Sequence, residues 1–205
     1  MKNWIAGLAL AVGSTTALAG NSFDARFASG STELDDGFDN VELEGVGFDL
    51  RAHFDANESV FVRGSGLSTS GDEGKLNGSS GDVDSELRVL RGGAGYQSVT
   101  DSFLLYAVAE YGEAKLSVED VSATDDGFVL SAGIKDQGKS QFLWQAELGY
   151  VAFDELSGAV FEFTVGYRIT PSVALLLGGQ GYSLKDDDEI DYSISHGTLG
   201  ARFSF

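Results

Sequence analysis

The chain contains no cysteine and only one proline, Pro171, among its 205 residues. A chain without cysteine cannot be a small secreted domain held together by disulfide bonds. The scarcity of proline suits a chain of paired strands, because proline has no backbone N–H to donate to a β-ladder. Together these two absences favour an all-β fold stabilised by hydrogen bonds between strands.

Basic residues are also scarce: the chain has 13 lysines and arginines against 32 acidic residues, and its formal net charge is −19. A surface of this charge repels the phosphate backbone, so we expect no nucleic-acid partner. Only two histidines are present, His53 and His196, which excludes a transition-metal site rich in histidine and cysteine. We therefore predict no cofactor.

The chain has one apolar run of note, from Trp4 to Val12, and it is too short to cross a bilayer comfortably as a helix. A lysine precedes this run and an Ala-Leu-Ala segment ending at Ala19 follows it, which is the pattern of a secretory signal peptide. We predict a signal peptide over 1–19 and one domain over 20–205. Because the remainder offers no apolar helix, any membrane span has to be a closed β-barrel.

Ten later segments alternate apolar and polar residues with a period of two, as strands with one apolar face do. Tight turns alternate with connections that are mostly longer and acidic, and this asymmetry is typical of transmembrane barrels. We predict an all-β fold, a closed antiparallel transmembrane β-barrel of ten strands with short periplasmic turns and longer acidic outer loops. Eight strands is the alternative count. The predicted strands cover 22–31, 41–54, 59–67, 85–97, 103–117, 127–135, 141–153, 157–169, 173–184 and 191–205.

The apolar face of these strands carries too many large aromatic residues for the interior of a small barrel. We therefore expect that face to contact lipid and the charged face to point into the lumen, where opposite charges can pair and fill the space. Asp24, Arg26 and Lys135 fall on the lumen face. The predicted lumen charge network consists of Asp49, Arg51, Arg63, Glu110, Glu147, Glu162, Arg168 and Arg202.

Strand 85–97 fits the alternation poorly. Arg88 and Arg91 lie on opposite faces of a regular strand. A β-bulge within this strand would reconcile the two positions, although the sequence does not say where it lies.

The last strand has an apolar face made of Leu199, Ala201, Phe203 and Phe205. A final strand of this kind, ending in phenylalanine, resembles the assembly signal of bacterial outer-membrane β-barrels, which the barrel-assembly machinery reads during insertion. The whole layout is similar to the small outer-membrane barrels of the OmpA/OmpX/OmpW-like superfamily. This resemblance implies a monomer in the outer membrane of a Gram-negative bacterium, in contact with outer-membrane lipid and lipopolysaccharide.

No motif of one subfamily is present, so three functions stay open. We predict a structural or surface-interaction role, with a lumen closed by ion pairs. The alternative is a narrow porin for small solutes or ions. A third is a lipid A-modifying hydrolase, because His196 and Thr198 share one face of the last strand, similar to the histidine and serine of barrel lipid A deacylases. Threonine replaces the serine and no orienting acid is evident, so we predict no enzymatic activity.

Acidic residues crowd the connections at one end of the predicted barrel. Divalent cations can bridge such carboxylates to lipopolysaccharide phosphates. The candidate rim for weakly bound divalent ions consists of Asp35, Asp36, Asp186, Asp187 and Asp188. These runs lack the spacing of an EF-hand loop, so we expect any ion binding at the rim to be loose.

Overall fold

The computed structural model describes residues 20–35, 37, 39–186 and 190–205. The predicted signal peptide lies outside the described residues, and so do Asp36, Asp187 and Asp188 of the predicted rim. No helix in the described part of the chain is long and apolar enough to span a membrane.

The described residues form ten antiparallel strands that close into a barrel. Each strand pairs with its sequence neighbours, and the last strand pairs with the first from Phe203 opposite Phe23 to Asp191 opposite Asp35. The ten-strand barrel is confirmed, and the eight-strand alternative is wrong. The strands are β1 (Ser22–Asp35), β2 (Asn40–Asp55), β3 (Val60–Leu76), β4 (Ser79–Val99), β5 (Phe103–Val118), β6 (Val121–Asp136), β7 (Phe142–Phe153), β8 (Ser157–Thr170), β9 (Val173–Lys185) and β10 (Asp191–Ser204).

Burial alternates along the strands, because successive side chains of a strand point to opposite faces of the sheet. In β5, for example, Leu104, Tyr106 and Val108 are buried, whereas Leu105 is 47% exposed. The exposed set forms a belt of large apolar side chains around the outside of the barrel. It includes Phe48, Leu130, Phe142, Leu148, Leu177 and Leu199. The apolar face therefore points outward, as the sequence predicts.

Two of the predicted long acidic loops are strands. β3 continues to Leu76 and β4 begins at Ser79, so the predicted loop over 68–84 is wrong. A two-residue turn joins them, in which Asn77 and Gly78 have φ of 51° and 80°, as a type I′ hairpin turn requires. The predicted loop over 118–126 is likewise replaced by a short turn before β6. The asymmetry between the two ends of the barrel thus lies in the length of the strands.

The strands differ in length, and the longest of them exceed what a bilayer crossing needs. β4 contains 21 residues, whereas a tilted strand crosses the hydrocarbon core in about 10. The surplus length lies at the end of the barrel opposite the tight turns, where residues 121–126 of β6 have no partner in β7. We call the end of the barrel with the tight turns the turn end, and the opposite end, where the longer strands project, the loop end.

No bulge lies between Arg88 and Arg91; the one register irregularity of β4 lies before them, between Asp82 and Ser85 in its pairing with β3. β4 pairs with β5 without a register shift from Ser85 opposite Val118 to Val99 opposite Leu104. Arg88 points outward, where it forms a 2.9 Å ion pair with Glu86. Because this part of β4 lies toward the projecting loop end, an outward arginine meets water there and needs no correction of the strand. Arg91 points inward and is buried.

The lumen is filled by apolar residues toward the loop end. This set, which we call the loop-end cluster, packs together next to a layer of charged residues. Tyr182 joins the two regions: its hydroxyl accepts a 2.8 Å hydrogen bond from Gln180, and its ring lies 6.0 Å from the Arg91 guanidinium. The buried members of the loop-end cluster are Ala28, Leu67, Leu87, Val89, Val129, Val151, Val160, Tyr182, Leu184 and Ile194.

Candidate functional site in the barrel lumen

Ten charged side chains meet in the middle of the lumen, and their charges balance. All are inward-facing members of the strands, and each arginine has a carboxylate within 4.0 Å. We call this set the charged layer. It consists of the acids Asp24, Asp49, Glu110, Glu147 and Glu162 and the arginines Arg26, Arg51, Arg63, Arg91 and Arg202.

Arg63 holds one half of the charged layer together. Its guanidinium donates to both carboxylate oxygens of Glu110, at 3.0 and 2.7 Å, and to both of Glu147, at 2.6 and 2.7 Å. The Tyr106 hydroxyl donates a further 2.7 Å hydrogen bond to Glu147. Gly133 leaves room for this tyrosine, since a Cβ there would lie 2.4 Å from the hydroxyl oxygen.

The other half is built around two carboxylates of neighbouring strands. Asp24 accepts hydrogen bonds from Arg202, at 2.7 and 2.9 Å, and from Arg26, at 2.5 Å. Asp49 accepts from Arg51 at 2.8 Å, and Arg51 also forms an ion pair with Glu162. Arg63 with Glu147 and Arg51 with Glu162 join strands on opposite sides of the lumen, whereas Arg202 with Asp24 joins neighbouring strands. Bidentate pairs such as Arg63 with Glu147 have both strength and a fixed geometry.

Most of the predicted network lies in the charged layer, but Arg168 does not. Arg168 has the inward parity, yet it lies at the turn end of β8, where it donates to the backbone carbonyls of Gly138 and Ser140 at 2.5 and 2.9 Å. The structure forms no ion pair between Arg168 and a described residue. Parity fixes the face on which a residue lies, but its height along the barrel depends on the register of all ten strands.

Sequence reasoning missed Arg91 and the uncharged members of the site. The predicted strand 85–97 includes Arg91, and its regular alternation places Arg91 inward once Arg88 is allowed to point outward. Tyr106 and Gln145 also share the lumen parity of their strands, and Gln145 donates a 2.9 Å hydrogen bond to the Tyr106 hydroxyl. Nothing in their sequence context distinguishes such side chains from ordinary strand residues.

Toward the turn end the lumen widens into a chamber of about 1010 Å³ that opens to the outside. We call it the turn-end chamber. The charged layer forms its inner end. Inward-facing residues of its wall include Gln97, Leu104, Lys135, Gln145, Thr164 and Arg202.

The pair His196 and Thr198 is buried in the lumen. The His196 Nδ1 and the Thr198 Oγ1 have no hydrogen-bond partner among the described residues. The threonine and the histidine are thus not joined as a nucleophile and its base would be. No group of three or more potential metal ligands occurs within the described ranges.

The four residues of the predicted assembly signal lie on the outer face of β10. Leu199 is opposite Phe27 of β1, and the Phe205 ring lies 6.2 Å from the Phe54 ring. β10 is the strand that closes the barrel. This position is compatible with a role in assembly, which stays a prediction.

Asp35 and Asp186, the two residues of the predicted ion rim that the structure describes, accept hydrogen bonds from backbone N–H groups of nearby turns. The Asp35 carboxylate accepts a 2.8 Å hydrogen bond from the Gly37 N–H, and Asp186 accepts one of 2.9 Å from Ile190. These contacts explain aspartate at both positions without an ion. Divalent-ion binding at the rim stays a prediction.

A closed barrel with an apolar outer belt and charged residues paired in its lumen defines a transmembrane β-barrel protein. The sequence agrees with this class: residues 5–168 match the family model described as the outer membrane protein beta-barrel domain. The chain belongs to this family, and its location is the outer membrane. A comparison with curated protein sequences gives no match.

Solved structures of outer-membrane proteins share the fold. The outer membrane protease OmpT from Escherichia coli is similar over 94% of this chain and 99% of its own, with 10% identity and a TM-score of 0.64. The translocator domain of the autotransporter NalP from Neisseria meningitidis is similar over 94% of this chain and 90% of its own, with 11% identity and a TM-score of 0.52. At such identities the likeness shows the fold alone.

Proposed function

We propose that this protein is a closed outer-membrane barrel that acts as a structural and surface-interaction protein. The observation that supports the proposal is the presence of two successive layers inside the barrel, the charged layer and the apolar loop-end cluster. An ion that entered from the turn end would have to break the paired charges of the charged layer and then cross the dry loop-end cluster. Each step is costly for an ion.

The projecting loop end supplies the surface for interaction. β3 and β4 form one long hairpin and β5 and β6 form another, and acidic residues lie near the tips of both: Asp72, Glu73, Asp82, Asp84, Glu119 and Asp120. Lys75 lies among them and donates to Glu44 and Glu42 at 2.8 and 3.0 Å; these hydrogen bonds raise the pKa of the lysine. The hairpin surface is rigid because its backbone is paired, and its strong negative charge favours cationic partners.

We place the loop end outside the cell and the turn end in the periplasm. In this orientation the acidic hairpins rise above lipopolysaccharide, and divalent cations bridge carboxylates to its phosphates. The protein works as a monomer, because ten strands close the barrel within one chain and the lumen needs no partner.

The second candidate function is a narrow channel. One observation favours it: the turn-end chamber already opens part of the lumen to solvent. Only the charged layer and the loop-end cluster separate this chamber from the loop end. A channel would therefore require a rearrangement of both.

A swelling assay with liposomes distinguishes the two candidates. Liposomes that contain the folded protein are diluted into an isotonic solution of a small sugar, and light scattering follows the uptake. We expect the same rate as for protein-free liposomes, with a general porin as the positive control. Fast swelling with the unaltered protein would replace the closed-barrel proposal by the channel.

A further inference from the structure

The turn-end chamber has the size and form of a ligand site. Its volume of about 1010 Å³ lies at the upper end of the range found for small-molecule pockets. It is open at one end and closed by the charged layer at the other. Two buried aromatic rings, Phe61 and Tyr106, lie behind its wall without lining it, and they face each other edge to face at 6.1 Å.

Lys135 is the unusual residue in this chamber. Its ammonium lies 5.8 Å from the ring centroids of both Phe61 and Tyr106. It forms no hydrogen bond or ion pair with any residue that the structure describes. The arginines of the neighbouring charged layer, in contrast, each have a carboxylate within reach. A half-buried cation without an anionic partner is costly, and the two rings offset only a small part of that cost.

The acids near Lys135 are held by other donors. Asp55 accepts a 3.1 Å hydrogen bond from the Gln97 side chain and lies 3.0 Å from His53 Nε2. Asp136 accepts from the backbone N–H groups of Gly138 and Trp144, at 2.6 and 3.1 Å. These contacts direct both carboxylates toward the wall and the turn, so the Lys135 ammonium stays available to an anion that enters the chamber.

Gln97 adds a second, independent sign of a ligand. Its side chain is 5% exposed and lines the chamber, and its Oε1 has no hydrogen-bond partner among the described residues. An acceptor left unpaired in a buried position costs free energy. A ligand with an N–H or O–H group would satisfy it.

We propose that the turn-end chamber binds an organic carboxylate that also carries an N–H or O–H donor. Lys135 holds the carboxylate, Gln97 accepts from the donor group, and Leu104 and Leu143 of the chamber wall contact the apolar part of the ligand. Two sources have this chemistry: a free hydroxy acid and the carboxyl terminus of an extended peptide. The proposal goes beyond the closed-barrel function, since a chamber with one closed end can bind a ligand without conducting it.

Calorimetry on the folded protein in detergent tests this inference, with malate and trialanine as the two probes. We expect at least one of them to bind, and amidated trialanine not to bind. Malate alone would identify a free hydroxy acid as the ligand, and trialanine alone a peptide terminus.

The variant Lys135→Met keeps the aliphatic stem between the rings and removes the charge, and we expect about a tenfold weaker affinity. Lys115→Met, at an outward position of β5, is the matched control and should bind like the unaltered protein.

NMR of the unaltered protein gives a test that does not depend on folding of the variants. The probe should shift the backbone signals of Lys135 and Gln97 and leave those of Val129 and Val151 in the loop-end cluster unchanged. Binding by Lys135→Met as tight as that of the unaltered protein would overturn the proposal. So would the absence of heat and of shifts with both probes.

Discussion

Arg63 is the residue on which the charged layer depends most, because it alone links Glu110 and Glu147. The three side chains have little contact with water, so their charges are compensated mainly by one another. A buried ion pair of this kind adds little net stability relative to an apolar core of the same shape. Its removal from one side, however, leaves a carboxylate buried without a counter-charge.

We predict that Arg63→Met destabilises the barrel by about 3–5 kcal/mol, because buried Glu147 loses its arginine partner and Glu110 keeps only the longer 3.8 Å contact with Arg91. Urea-induced unfolding in phospholipid vesicles measures this change. The matched control is Arg88→Met, which breaks the exposed pair with Glu86 and should cost no more than about 1 kcal/mol. Adding Glu147→Gln to the Arg63 variant should recover part of the loss. An equal, small effect of both single variants would contradict the assigned role of Arg63.

The sequence predicts well whether a residue points into the lumen or outward, and predicts poorly how far along the barrel axis it lies. A period of two suffices to place Glu147 and Glu162 in the lumen, because a filled interior and a lipid-facing exterior need opposite side chains. It cannot show that Arg168 lies at the turn end, since neighbours across the lumen depend on the tilt and register of distant strands. Lys135 could be placed in the lumen, but its lack of a carboxylate partner is visible only in the structure.

At the scale of the elements, β10 closes the barrel and carries the predicted assembly signal. Deletion of Phe205 should strongly reduce the amount of folded protein in the outer membrane, because the resemblance assigns the terminal residue to recognition by the assembly machinery. Fractionated membranes and folded-band intensity on gels measure the effect. The control Phe54→Leu removes the aromatic partner of Phe205 and keeps the chain end. Equal insertion of the deletion variant and the unaltered chain would remove support for the signal.

The ends of the strands are the elements that sequence reasoning placed least well. Residues 68–84 are polar on both faces, and alternation is lost once a strand leaves the bilayer, because neither face then meets lipid. The β3–β4 hairpin forms nonetheless, since its backbone groups pair and Asn77-Gly78 suits the tight turn. Arg88 also lies toward the loop end, where an outward charged side chain meets water, so the strand needs no bulge at this position.

For the whole molecule, closure of the sheet predicts resistance to detergent. The barrel has no free sheet edge within the membrane span from which it can unzip. We expect the unheated protein to migrate differently from the boiled protein on SDS gels. One identical mobility before and after boiling would argue against a closed barrel in detergent.

The most direct test of the closed lumen is the accessibility of single cysteines, which the cysteine-free chain makes simple. Asn77→Cys places a thiol at the loop-end tip, and Gln145→Cys places one in the turn-end chamber. A small, charged, membrane-impermeant thiol reagent is added outside liposomes that contain each variant. The modified fraction of Asn77→Cys gives the fraction of molecules whose loop end faces outward. A closed lumen predicts that Gln145→Cys is modified only in the complementary fraction, because the reagent reaches the chamber from the turn end alone. Modification of Gln145→Cys in molecules of both orientations would contradict the closed lumen.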